Sequence, residues 1–286
     1  MSHQVWSIGL ASSSNIMDLG NNISKLPILS AADILDVKAG FVADPFLIRN
    51  DDNWYLFFEV WNDDADKGEI ALAVSKDLGE WRYCGIVLRE PWHLSYPHVF
   101  SHGGSFWMTP EGLGAGAVRL YQATDFPYRW RYHCDLLPVP LADPTPFFWQ
   151  DHWYLLGCPN FNTHDALTLY TSTQPTHGWK EHPQSPIHLN DSRRSRPAGR
   201  VWLGSGMPIR WAQDCQPRYG TAVRAFEMNV LSPTHYHEKE IAQVLSPGTA
   251  SWNVGGMHHI DPHVIKNGQA ACWIAAVDGF RDSEAA

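Results

Sequence analysis

The stretch Val42-Ala43-Asp44-Pro45-Phe46-Leu47-Ile48, the turn Asn50-Asp51-Asp52-Asn53 and the run Trp54-Tyr55-Leu56-Phe57-Phe58-Glu59 set the pattern of the chain. An X-Pro step opens an apolar strand, a polar turn follows, and an aromatic-rich strand returns. The same grammar recurs at Ser95-Tyr96-Pro97-His98-Val99-Phe100, at Ala142-Asp143-Pro144, at Ser195-Arg196-Pro197 and at Ile260-Asp261-Pro262. Its turns fall at Gly103-Gly104, at Gly204-Ser205-Gly206 and at Asn267-Gly268. Prolines 45, 97, 144, 197 and 262 are spaced by 52, 47, 53 and 65 residues, the length of a four-stranded propeller blade.

The second half of each unit repeats as well. Ile70–Ser75, Val118–Thr124 and Leu167–Ser172 alternate as strands and lead to Trp81, Trp130 and Trp179, each at the opening of an outer strand. The fourth unit keeps Thr221–Phe226 and has Tyr236 near the outer-strand position. The fifth ends two strands short, and Trp6–Ser12 reads like Ile70–Ser75. The expectation is an all-β, single-domain, five-bladed β-propeller whose last blade is closed by N-terminal strands within residues 1–30. The blades fall at 40–90, 91–140, 141–190, 191–250 and 251–286. A β-sandwich with coincidental spacing is the alternative; a helical fold is disfavoured because no apolar 3.6-residue period persists.

Composition narrows the function. The net charge is −9 and there is no basic run, so nucleic acid is not an expected partner. No stretch approaches 18 apolar residues, so no membrane span is expected. The start Met1–Trp6 lacks the basic and apolar regions of a secretory signal, which reads as cytoplasmic. Five widely spaced cysteines without a CxxC read as buried reduced thiols rather than a disulfide framework or zinc site.

In a propeller the first strands line the central channel. The X-Pro steps therefore gather Asp44, Tyr96, Asp143, Arg196 and Asp261 at one end of the axis. Carboxylates at close range push one another's pKa apart, so an acid and a base can coexist there. Asp-Pro is also a common turn opener; three at equivalent positions weigh against that reading alone. Second-strand ends add Glu59, Glu111 and Asp214, and Trp61, Trp92, Trp107 and Trp149 near those ends suit stacking on sugar rings, though most of the 14 tryptophans read as core. His98 and His259 join the candidate substrate-binding set with Glu59, Tyr96, Arg196, Arg200, Asp214 and Asp261. His259 and His263 are four apart, but their segment reads as a loop entering a strand, so a helical zinc motif is rejected. A histidine facing the channel would hold a divalent cation, an ordered water or a substrate oxygen; otherwise these are hydrogen-bonded structural histidines.

These motifs resemble the five-bladed propellers of glycoside hydrolase family 43. They are closer still to the glycoside-hydrolase-like N-terminal domain of plant glucosamine inositolphosphorylceramide transferases and their bacterial homologues. The stretches that carry the resemblance are Ala43–Phe46, Ser95–Phe100 with Thr109-Pro110-Glu111, Ser195–Arg200 and Ala212–Cys215. The resemblance implies Asp44 as general base and Asp143 as the carboxylate that tunes pKa and orients substrate. The general acid of that family, a Glu in a Glu-Gly-Pro step, is replaced here by Ser195-Arg196-Pro197. A phosphate leaving group needs positive charge rather than a proton, and Arg196 and Arg200 would supply it. The expectation is glycosyl transfer involving a sugar-phosphate or other carbohydrate substrate. Alternatives are an inverting glycoside hydrolase with Glu111 as acid, and a non-catalytic glycan-binding propeller. Oligomeric state is not readable.

Overall fold

The computed structural model describes residues 4–204, 206–267 and 270–283; Ser205 and Gly268, assigned to turns above, lie outside them. The first strand, β1 (Gln4–Ser13), does not begin a sheet of its own. Blade 1 is a meander of β2 (Ala39–Asn50), β3 (Asn53–Asn62), β4 (Lys67–Ser75) and β5 (Arg82–Leu88). Blade 2 holds β6 (Ser95–His102), β7 (Ser105–Glu111), β8 (Val118–Asp125) and β9 (Arg129–Leu137). Blade 3 holds β10 (Ala142–Trp149), β11 (His152–Cys158), β12 (Thr168–Ser172) and the two-residue β13 (Lys180–Glu181). Blade 4 has β14 (Ile209–Asp214), β15 (Ala222–Leu231) and β16 (Tyr236–Leu245). Its inner element is not a full strand; Pro197 and Trp202 make single bridges to Ala212 and Ile209.

Blade 5 closes the ring. β17 (Ile260–Asn267) pairs with β18 (Ala270–Asp282), and β18 pairs with β1 in register from Gln4↔Asp282 to Ser13↔Trp273. Bridges Ile8↔Leu29 and Ala11↔Ile23 add the outer edge, so the N-terminal segment completes the last sheet as expected.

Alternation along each strand explains why the ring coheres. On β3, Leu56, Phe58 and Val60 enter a cluster with Ile8 and Ile274 of blade 5. Phe57, one pleat out of phase, enters a cluster with Tyr96, Val99 and Met108 of blade 2. Both faces of the sheet are thus buried, which requires the near-continuous apolar run. Similar clusters fill the other three interfaces. One junction demands a glycine: Gly199 sits at φ +129, and a Cβ there would lie 1.8 Å from the Ile260 carbonyl oxygen. The thiols are all free, but only Cys158 and Cys215 are buried; Cys272 is exposed.

Candidate functional site

In blades 1, 2 and 3 the X-Pro step is a β-bulge. The register slips between Ala43 and Phe46, between Ser95 and His98, and between Ala142 and Thr145. The residue before proline takes a left-handed conformation in each: Asp44 at φ 53, Tyr96 at φ 47 and Asp143 at φ 51. Such strain costs about 1–3 kcal/mol per residue and persists only where surroundings enforce it. A bulge also frees an amide from the ladder, and here carboxylates take all three. The Asp44 amide donates to Asp278 Oδ2 at 3.0 Å, the Tyr96 amide to Asp44 Oδ2 at 3.1 Å, and the Asp143 amide to Glu111 Oε2 at 3.0 Å. Each bond crosses to a neighbouring blade, so the carboxylates pin the bulges as they gather.

They surround a cavity of about 170 Å³ walled by Asp44, Glu59, Glu111, Arg196, His258 and Trp6, among others. Arg196, 8% exposed, is the hub. Its Nε donates to Asp143 Oδ2 at 2.6 Å, its Nη2 to Glu111 Oε2 at 3.2 Å, and its Nη1 lies 3.1 Å from His164 Nδ1. Gln213 Nε2 also donates to Asp143 Oδ2, at 2.8 Å. On the other side His258 Nδ1 bonds Asp278 Oδ1 at 2.8 Å, while its Nε2 is 3.9 Å from Asp44 Oδ1. The imidazole is stacked on Trp6, centroids 4.0 Å apart.

Burial is the main cause of the shifted pKa values. It pushes Asp44 up to about 7, with His258 pulling against it and Asp143 adding to it. It pushes Asp143 up to about 7, Arg196 opposing and Glu111 reinforcing. Burial, followed by the charges of Asp44 and Glu111, holds Glu59 well above the carboxylate range. Burial disfavours charge on His258, but Asp278 and Asp44 outweigh it and raise its pKa. Glu59 is 5% exposed, and its Oε1 has no hydrogen-bond partner.

Asp44, His258 and Asp278 place ligand atoms within 4.8 Å of one another. Asp278 is already engaged: its Oδ1 accepts from the His258 and His259 amides and from His258 Nδ1, and its Oδ2 accepts from the Asp44 amide. Asp44 Oδ1 and His258 Nε2, 3.9 Å apart, are the atoms of the group left to face a cation or an ordered water.

Residues 20–280 match the family described as "Glucosamine inositolphosphorylceramide transferase 1, N-terminal". The chain belongs to that family. It is 34% identical over 267 residues to glucosamine inositolphosphorylceramide transferase 1 of Oryza sativa subsp. japonica, covering 89% of this chain and 35% of the relative. Against the Arabidopsis thaliana protein of the same name the figures are 34% over 268 residues, 89% and 34%. The chain thus spans about a third of the length of these relatives. Among solved structures, it resembles a GH62 α-L-arabinofuranosidase catalytic domain of Coprinopsis cinerea, with TM-score 0.59 and 10% identity over 83% of this chain and 90% of that one. It also resembles an exo-β-1,3-galactanase of Clostridium thermocellum, with TM-score 0.60 and 14% identity over 84% and 58%. At these identities the likeness shows the fold.

Within this family member, the expected residues separate into two groups. Asp44, Glu59, Glu111 and Arg196 line the cavity, and Asp143 lies against Arg196. The others do not line it. Asp261 is fully buried and bound to Arg200 Nε at 2.8 Å, His263 Nε2 at 3.0 Å and the Leu47 amide at 2.6 Å. The expectation that all five X-Pro steps converge fails at blade 5 because β17 carries no bulge: Ile260, Asp261 and Pro262 pair regularly with Val277, Ala276 and Ala275. Arg200 spends its remaining donors on the Val99 and Leu47 carbonyls. The Tyr96 phenol pairs with Thr145 Oγ1 and accepts from the Gly199 amide, both at 2.8 Å, instead of facing the cavity. Asp214 is held by Arg224 Nε at 2.8 Å. His98 and His259 are buried, each with two unpartnered ring nitrogens; His259 Nδ1 is 3.7 Å from Asp44 Oδ1. Asp278, Tyr219 and Trp6 were not singled out from sequence. Asp278 had a signal, an acid directly after the apolar run Ile274-Ala275-Ala276-Val277; Tyr219, in a loop, had none.

Proposed function

We propose that the cavity binds one sugar ring of a glycan and catalyses glycosyl transfer, with Asp44 as base and Glu59 as acid. The carrying observation is that two buried carboxyls line the same cavity with different company. Asp44 is faced by His258 and accepts the Tyr96 amide, whereas Glu59 Oε1 accepts no hydrogen bond and has His93 Nε2 3.7 Å away. Asp44, raised to about 7, is half ionised near neutral pH, while burial makes Glu59 hold its proton more firmly than an ordinary carboxyl does. The volume equals about six waters at roughly 30 Å³ each, suited to one ring. In the step, an acceptor hydroxyl or water bonds to the anomeric carbon and its proton passes to Asp44. The bond from that carbon to the leaving oxygen breaks, and Glu59 protonates that oxygen. Glu111 is the weaker candidate for acid, because its Oε2 accepts from both Arg196 and the Asp143 amide.

The charge count favours an uncharged sugar over the sugar-phosphate suggested by the two arginines. Arg196 and Arg200 are committed to carboxylates and carbonyls, and a phosphate would enter beside several buried acids. A second reading, a glycan-binding domain without turnover, is favoured by the pairing of Asp143 with Arg196 and of Asp261 with Arg200, which ties two of the three X-Pro carboxylates to cations.

The test is a panel of arabinose, galactose, mannose and glucosamine with their disaccharides, screened for binding by calorimetry and for turnover by product analysis. Binding with turnover that Asp44→Asn lowers by about 10²–10⁴ supports the enzyme. Binding without turnover in either protein supports the second reading. No binding to any sugar overturns both.

A further inference from the structure

Beside the small cavity lies a larger one of about 650 Å³, and the two share Trp6, Phe41 and Tyr219 as common wall. Its floor is aromatic. Phe41 and Trp61 stack with centroids 5.7 Å apart and planes at 17°, and both are only half-buried. Its polar groups are Gln4, Asp63 and Asp66, with the Lys38 ammonium 3.7 Å from Asp63. The platform depends on a glycine. A Cβ on Gly40 would lie 2.5 Å from Asp63 Oδ1 and 3.0 Å from Trp61 Cδ1, so any larger residue displaces the carboxylate and the indole together.

We propose that this cleft is a second sugar subsite, which seats the neighbouring ring of an uncharged glycan while the reacting ring occupies the small cavity. The proposal rests on the function proposed above. Three observations favour this occupant. The shared residues Trp6, Phe41 and Tyr219 set the two cavities side by side, as two rings joined by one glycosidic linkage require. A sugar ring offers an apolar C–H face and a hydroxyl edge, which match an aromatic plane rimmed by carboxylates and an amide. The acids on the rim disfavour a phosphorylated ring. The consequence is mechanistic: a ring seated here is the leaving group of a donor or the hydroxyl-bearing acceptor of a transfer. The cleft therefore decides whether water or a sugar receives the glycosyl group.

The experiment uses the full chain carrying Asp44→Asn, so that ligands are not consumed. Monosaccharides and disaccharides of the panel above are titrated by calorimetry into this protein and into the same protein with Trp61→Ala or Trp61→Phe. The expected result is a disaccharide that binds at least about tenfold tighter than its monosaccharide. Trp61→Ala should erase that gain and leave the monosaccharide affinity within about twofold. Trp61→Phe keeps an aromatic face and should retain part of the gain. Equal affinities for one ring and two in the Asp44→Asn protein overturn the proposal, as does a Trp61→Phe protein that weakens both ligands equally. Absence of all sugar binding overturns instead the reading on which it rests.

Discussion

Arg196 and Arg200 lie four residues apart on the innermost segment of blade 4, and each faces an aspartate from an X-Pro step. Around Arg200 the charges are matched. Asp261 receives Arg200, His263 and the Leu47 amide, is fully buried, and is held well below the usual carboxylate range by Arg200 and His263 against the opposing effect of burial. Around Arg196 they are not matched. One guanidinium serves Asp143 and Glu111, while Asp44 and Glu59 crowd the same space and climb in pKa. The first arrangement fastens blades together. The second stores an acid excess beside a cavity, the condition under which carboxyls exchange protons near neutrality. What separates them is a bulge, which re-aims Asp44 and Asp143 and is absent at Asp261.

The comparison breaks first at Asp44. Asp44→Asn should lower turnover by about 10²–10⁴ while sugar affinity survives, read by steady-state kinetics beside calorimetry. Next is the matched pair. Asp261→Ala leaves the half-buried Arg200 and the Leu47 amide without their acceptor and should destabilise the fold by up to about 3 kcal/mol in denaturant titration. Asp143→Asn should lose less than half of that, because Arg196 keeps Glu111. A similar loss at both positions would remove the distinction between fastener and site.

The pH dependence has opposite signs in the two regions. Asp44, raised from 3.8 to about 7, adds stability that is fully present below about pH 4 and is lost as pH rises through 7. Asp261, depressed, adds stability that is present above about pH 4 and is lost as pH falls. Asp44→Asn mimics the protonated carboxyl, so it should melt higher than the parent at pH 8, by about 2–4 °C per kcal/mol recovered, and equally at pH 4. Turnover of the parent should rise through pH 7 as Asp44 ionises, a limb absent from the variant. The smallest effect belongs to Arg194, which pairs with Asp191 on the surface; Arg194→Ala should change stability by less than about 1 kcal/mol and leave turnover intact.

The blades were legible because proline, turn and aromatic strand recur along one dimension, and so was their closure, since Trp6–Ser12 copies a strand of blade 1. The bulges were not legible. Ala43-Asp44-Pro45 and Ile260-Asp261-Pro262 read alike, and whether the ladder slips is set by the partner strand. That one slip separates Asp44 at the cavity and Asp143 beside its Arg196 from Asp261, which is fastened to Arg200. Arg196 was legible as a cation in place of an acid, but its company was not, because Glu111 and Asp143 reach it from two other blades.

The sheet that joins β1 to β18 carries a consequence for the timing of synthesis. Trp6 walls the cavity from the first strand, and Asp278 fixes the Asp44 bulge from the last. On a ribosome, residue 6 waits for residue 278 before either has its place. Because distant segments pair slowly, a partly translated chain has blades but an unfinished cavity wall, and the cavity is complete only when the circle shuts.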